Sequence, residues 1–82
     1  MVYAVVFKPR PLKELKALTR DDCERIVDKI EGLRNNLAGD VKKLTNFMPE
    51  YRLRVGNYRD LFEVGGNEVV IYRVRHRKNV YQ

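Results

Sequence analysis

Arg52, Arg54 and Arg59 are the side chains of this sequence best placed to act together on a charged group. They lie in Tyr51-Arg-Leu-Arg-Val-Gly-Asn-Tyr-Arg59, where apolar and basic residues alternate on both sides of Gly56-Asn57. That pair suits a two-residue hairpin turn. Such a turn sets Val55 opposite Tyr58, Arg54 opposite Arg59, Leu53 opposite Asp60 and Arg52 opposite Leu61. Because strand side chains alternate, Tyr51, Leu53, Val55, Tyr58 and Phe62 share one face, and the three arginines share the other. The same parity turns Asp60 toward the core. Like charges directly opposite each other are destabilising, by roughly 0.2–1 kcal/mol. Guanidiniums gathered against that cost point to an anion, and phosphate is one that arginine can grip bidentately.

More candidates follow toward the C-terminus. Gly65-Gly66-Asn67 marks a second turn, after which Glu68 to Arg75 reads as a strand apolar at both parities in its first half, hence central in its sheet. A three-residue loop places Arg73 and Arg75 on the face of Arg59, and a two-residue loop places them on the other; the sequence leaves both open. The tail Arg75-His76-Arg77-Lys78-Asn79-Val80-Tyr81 is dense in cations and ends in an aromatic ring, and Lys42 and Lys43 add charge ahead of the first hairpin. Arg73, Arg75, Lys78, Lys42 and Lys43 are candidates for binding a phosphate backbone. RNA brings its own nucleophile, the 2′-hydroxyl, so cleaving it needs in-line geometry, charge neutralisation, and a proton acceptor and donor. Arginines stabilise the developing charge. Histidine titrates near neutrality, so His76 could move the proton, or be only a surface residue. Tyr81 could stack on a base, exchange a proton, or simply pack. There is no Gly-rich phosphate loop, no metal-ligand cluster and only one histidine. P-loop, zinc and Ser-His-Asp readings therefore fail, and neither a metal nor another cofactor is expected.

The elements that must position these residues can be read in outline. Eighty-two residues make a single domain, 1–82, with a net charge of +6 that calls for an acidic partner. Cys23 is the only cysteine, which suits a reducing cytoplasm, and the longest apolar run, Ala4 to Phe7, is far too short to span a membrane. Val2 to Phe7 reads as a strand buried on both faces. Pro9 and Pro11 end it and suit the first turn of a helix carrying Leu12, Leu15 and Leu18. Thr19 is a good N-cap for a second helix, whose apolar stripe is Cys23, Ile26, Val27, Ile30, Leu33 and Leu37. Asn35-Asn36 and Gly39 close that helix, and Asp40 to Pro49 is a connector with Leu44, Phe47 and Met48 tucked at the core edge. The expectation is an α+β fold in the order strand, helix, helix, three strands. Its small, mostly antiparallel four-stranded sheet has the helical hairpin packed on one face and the arginine face open. Val5, Phe7, Leu15, Ile26, Ile30, Leu33, Leu53, Val55, Phe62 and either Ile71 or Val70 should form the core.

Three stretches together, Tyr51 to Arg59, Val69 to Arg77 and Val80-Tyr81, preceded by Lys43-Leu44, resemble the RelE/ParE superfamily of bacterial and archaeal toxins, and the order of elements matches along essentially the whole chain. The resemblance implies a toxin silenced by a co-expressed antitoxin. RelE-type members cleave messenger RNA in the ribosomal A site, with contacts to 16S ribosomal RNA, whereas ParE-type members poison DNA gyrase. On the RelE pattern, Arg52 and Arg54 fall at two basic strand positions, Arg59 follows the hairpin turn, Arg77 lies in the basic tail motif and Tyr81 matches the terminal tyrosine. The implied reaction leaves a 2′,3′-cyclic phosphate and a 5′-hydroxyl. A well-studied member has lysines where Arg52 and Arg54 stand, and arginine does not lose its proton. The base here would then be Tyr81 or His76, or the rate would rest on electrostatics. Arg75 stands where the family often has glycine, and Asp60 where it is usually apolar. A gyrase-directed ParE-like inhibitor and a non-catalytic basic RNA-binding domain are the alternatives. A cytoplasmic location is expected.

Overall fold

The computed structural model describes residues 1–78. In chain order its elements are β1 (Ala4–Phe7), α1 (Pro9–Lys16), α2 (Arg20–Gly32), β2 (Val41–Lys43), β3 (Tyr51–Val55), β4 (Tyr58–Gly65) and β5 (Glu68–His76). β3 and β4 pair antiparallel in the register dictated by their alternation, with Arg54 opposite Arg59, Leu53 opposite Asp60 and Arg52 opposite Leu61. Gly56 makes the tight reversal possible by taking φ 57°, where a side chain would be strained. The sheet order is β1-β5-β4-β3-β2, so β5 is central as expected. β1 runs parallel to β5, and every other neighbouring pair is antiparallel.

The sheet has five strands instead of the expected four. β2 emerges from the stretch read as a connector and pairs along β3, with Lys42 opposite Arg52. Three residues are too few to show a period of their own, and this strand exists because β3 offers it an unpaired edge. β1 starts at Ala4 and lies at the other edge, with Val6 40% exposed, so it is not buried on both faces. Its second apolar parity meets Val70 of β5 on the face away from the helices. α2 also stops early. Leu33 caps it, and Asn36 and Leu37 take positive φ, yet Leu37 still packs against the core.

Both helices cover the face of Leu53, Val55 and Phe62. Pro9 and Pro11 occupy the first turn of α1, and Thr19 Oγ1 caps α2 by accepting the Asp22 N–H at 3.2 Å. Leu15 of α1, Ile26 and Ile30 of α2 and its capping Leu33 meet Leu53, Val55, Phe62 and Ile71 in a closed core, to which Val69 and Val74 also belong. Val5 and Phe7 flank that core half-buried. Of the two alternatives at the strand centre, Ile71 is buried, and Val70 lies on the opposite face.

One polar side chain sits among these apolar ones. Asp60 has no exposed surface, and neither of its carboxyl oxygens has a hydrogen-bond partner among the described residues. Arg73, next to Val74 on the neighbouring strand, is bound to Glu14 instead. Burial alone pushes the Asp60 carboxyl up to about 8, so near neutrality it is held largely as the uncharged acid. In the unfolded chain it ionises near pH 4. Between those limits the unfolded state has released a proton that the folded state keeps, so this group makes stability greatest below about pH 4. Stability then falls as pH rises through the window and levels off above about 8. Wild-type protein should therefore lose melting temperature between pH 5 and 8, and Asp60→Leu should remove that part of the slope. Identical slopes for the two proteins would contradict the buried-acid assignment.

Candidate nucleic-acid interface

The placement of the arginines depends on one extra residue in β5. The turn at Gly66-Asn67 is two residues long, with Gly65 opposite Glu68, Val64 opposite Val69 and Phe62 opposite Ile71. Continued without interruption, that register would put Arg73 against Asp60 on the helix side. Instead Leu61 pairs with Arg73 and Arg59 pairs with Arg75, leaving Tyr72 as a bulge. A bulge adds one residue to one strand and reverses the parity of everything after it. Arg73 and Arg75 thereby come to the face of Arg59. The ambiguity left by the turn is thus resolved by a two-residue turn corrected by a bulge.

Two cross-strand rows result on the face away from the helices. One is Arg54, Arg59 and Arg75, on three adjacent strands. The other is Lys42, Arg52, Leu61 and Arg73, on four. Directly paired side chains have Cβ atoms about 4.5–5.5 Å apart. Among the described residues no carboxylate pairs with Arg54, Arg75 or Lys42. Arg59 Nη1 donates to the carbonyls of Gly56 and Tyr58 at 3.2 and 3.1 Å, which holds the guanidinium beside its own turn. Arg52 is tied down by Asp40, whose carbonyl and carboxylate accept from Nη1 at 3.0 and 3.2 Å. Arg73 is bound by Glu14 of α1. Oε2 accepts from its Nε and Nη2 at 3.0 and 2.9 Å, while Oε1 accepts the Val74 N–H at 2.8 Å. β1 pairs with β5 only as far as Ile71, so Glu14 caps a stretch of β5 edge beyond it and clamps the chain just after the bulge.

The remaining candidates fall elsewhere. His76 pairs with Tyr58 on the helix side, its ring edge-on to the tyrosine at 5.5 Å between centroids, and its Nδ1 accepts the Lys78 N–H. It is on the opposite face from the arginine rows. Arg77 is exposed in the turn after β5, its N–H donating to the Asn57 carbonyl at 2.7 Å, and Lys78 is exposed beside it. Lys43 turns away from the rows, toward Glu50 at 3.6 Å and the Tyr51 ring. Tyr81 lies outside the described residues. The face itself is not wholly open. The segment before β3 folds over its lower part, where the Glu50 N–H donates to Glu63, and Leu61 is left only 3% exposed. Met48 in that segment is not tucked into the core edge but is 72% exposed.

Comparison with known proteins gives the family. The sequence profile of the family described as "ParE toxin of type II toxin-antitoxin system, parDE" matches residues 5–81. The chain belongs to the RelE/ParE superfamily of toxins. It is 38% identical to toxin RelE3 of Methanocaldococcus jannaschii, over 94% of this chain and 93% of that protein. A crystal structure of a RelB–RelE antitoxin–toxin complex from Methanococcus jannaschii superposes with a TM-score of 0.76, covering 93% of this chain and 94% of that one at 38% identity. The RelBE2 toxin–antitoxin complex of Mycobacterium tuberculosis gives 0.81 at 26% identity, over 94% and 100%. An archaeal RelE–RelB complex from Pyrococcus horikoshii, at 24% identity, shares the fold with a TM-score of 0.77 over 98% and 100%. The family description carries the ParE name, while these relatives carry RelE names. Near-full-length identity to one of them makes this a type II toxin of RelE type.

Within this RelE-type fold, Glu14 is the residue that sequence reasoning missed. It appeared only as an exposed charge on a short helix, 59 residues from the arginine it holds. Glu14→Ala should leave the Val74 N–H and Arg73 unpaired together and cost about 1–3 kcal/mol. Glu14→Gln, which keeps an acceptor for the N–H, should cost less. Urea unfolding of both variants measures this, and an Ala variant as stable as wild type would show that the clamp contributes nothing.

Proposed function

We propose that this toxin is an endoribonuclease that cleaves messenger RNA in the ribosomal A site, in the cytoplasm. The observation that carries the reading is the row Arg54, Arg59 and Arg75, backed by Arg52 and Arg73, on the sheet face that the helices leave uncovered. Such a row suits a phosphate whose negative charge grows during the reaction. A 2′-oxygen attacks the adjacent phosphorus in line, the 5′-oxygen leaves, and a 2′,3′-cyclic phosphate remains. Preorganised guanidiniums stabilise the pentacoordinate state without reorganising at the moment of reaction. The tethers on Arg52 and Arg59 supply that preorganisation. None of the arginines can take the 2′-proton, since guanidinium keeps its own. With His76 on the far face, Tyr81 is the candidate to orient or deprotonate the nucleophile. A cognate antitoxin keeps the toxin silent, as the RelB-bound relatives suggest, and an acidic, amphipathic segment is the kind of partner that a basic sheet face accepts.

The ParE name of the family description favours a second reading, a gyrase-directed inhibitor. A translating extract supplied with supercoiled DNA, scored for mRNA breaks and gyrase-dependent DNA breaks side by side, separates the two. The nuclease reading expects mRNA cleavage alone, and DNA breaks alone would overturn it. On programmed ribosomes, Arg54→Ala and Arg59→Ala should each slow single-turnover cleavage by on the order of 10²–10³. Tyr81→Phe should be nearly as damaging if the hydroxyl handles the proton, whereas a harmless Phe with a damaging Ala would assign the ring to stacking. Undiminished cleavage after replacement of Arg54, Arg59 and Tyr81 together would contradict the proposed site.

A further inference from the structure

Beside the second arginine row, the same sheet face carries a cleft of about 510 Å³. Leu61, Met48, Pro49 and Tyr72 line it, and Lys8, Arg10 and Arg73 add positive charge. The Lys8 ammonium stands 5.5 Å from the centre of the Tyr72 ring. Met48 is 72% exposed and Tyr72 37%, so two large side chains with apolar surface face water at a place where the core does not need them.

The position of the cleft says what would enter it. Leu61 stands directly between Arg52 and Arg73 across the strands, so an apolar lining residue interrupts a line of cations. A ligand seated there must be flat and apolar, and must carry negative charge on toward the arginines. Single-stranded RNA has both parts, phosphates along the backbone and a π-face on every base. We propose that this cleft is a nucleobase subsite, taking one base of the strand whose phosphates lie on the arginine rows. The proposal rests on the RNA-directed reading above and adds a residue-level account of how a single strand is held. The bulge serves twice: it turns Arg73 and Arg75 to this face, and its own residue, Tyr72, becomes a wall of the subsite. Stacking on Tyr72 and Met48 would tolerate any base, since no hydrogen-bonding edge is read.

The test measures binding of labelled hexauridylate and of an abasic phosphodiester strand of the same length, over a series of salt concentrations. Met48→Ala and Tyr72→Ala should each weaken hexauridylate binding by about fivefold or more. They should leave the abasic strand unaffected and the dependence on salt unchanged, because no phosphate contact is removed. Tyr72→Phe should bind like wild type. Arg54→Ala should behave in the opposite way, weakening both strands and flattening the salt dependence. Thermal unfolding checks the fold, and if Tyr72→Ala loosens the strand, exposed Met48 still decides. Equal binding of hexauridylate by wild type and Met48→Ala, or equal loss on both strands, would overturn the subsite. So would variants that weaken only the complex with the co-expressed antitoxin, which would make the cleft a peptide-docking site. Cleavage in the extract is scored separately. Wild-type cleavage with binding insensitive to the cleft refutes the subsite and keeps the nuclease, whereas base-dependent binding without cleavage does the reverse.

Discussion

Adding one residue to a β-strand turns every later side chain to the other face of the sheet, and Tyr72 is that residue in β5. Before it, Val69 and Ile71 point into the core; after it, Val74 does, and Arg73 and Arg75 point away. Without the bulge, the core would have to accept two arginines and give up Val74. The three-arginine row depends on this switch of parity, because it spans β3, β4 and β5 and needs all three strands in phase. The switch is held from outside the sheet. Glu14 takes the Val74 N–H and the Arg73 guanidinium together, so α1 both covers the core and pins the strand just beyond the bulge.

Charge is distributed to the same end. Arg52 and Arg73 in the second row each have an acidic partner, while Arg54 and Arg75 in the first row have none among the described residues. Like charges three abreast are unfavourable in the free protein, so the fold holds a cost that an incoming phosphate would offset. Asp60 is a second cost, a carboxyl sealed in the core one strand position from Arg59 and facing the other way. It cannot lower the repulsion between the guanidiniums, because the sheet lies between them. No physical benefit of Asp60 to the site follows from its surroundings.

The sequence made the local parts of this structure legible. The Gly56-Asn57 turn and the alternation around it determine the β3–β4 register, and the core-facing parity of Asp60 follows from the same count. Thr19 marks the start of α2 because its cap bond spans only three residues. What escaped had causes far along the chain. The bulge is clamped by Glu14, β2 needs the edge of β3, and the burial of Leu61 needs the segment that crosses it. Val2 to Phe7 looked doubly buried because an apolar patch facing solvent and one facing a second layer have the same composition. Arg73 and Arg75 were recognisable as candidates, but their face depended on a bulge with no sequence signature of its own. His76 was recognisable too, and was placed away from the arginines by the same shift.

The claim on which the rest stands is the register of β4 against β5, and solution NMR reads it directly. Cross-strand backbone proton contacts should connect Arg59 with Arg75 and Leu61 with Arg73, while Phe62 contacts Ile71 and Tyr72 has no opposite partner. Contacts of Arg59 with Val74 and of Asp60 with Arg73 would mean an unbulged strand, with Arg73 and Arg75 on the helix side and no three-arginine row.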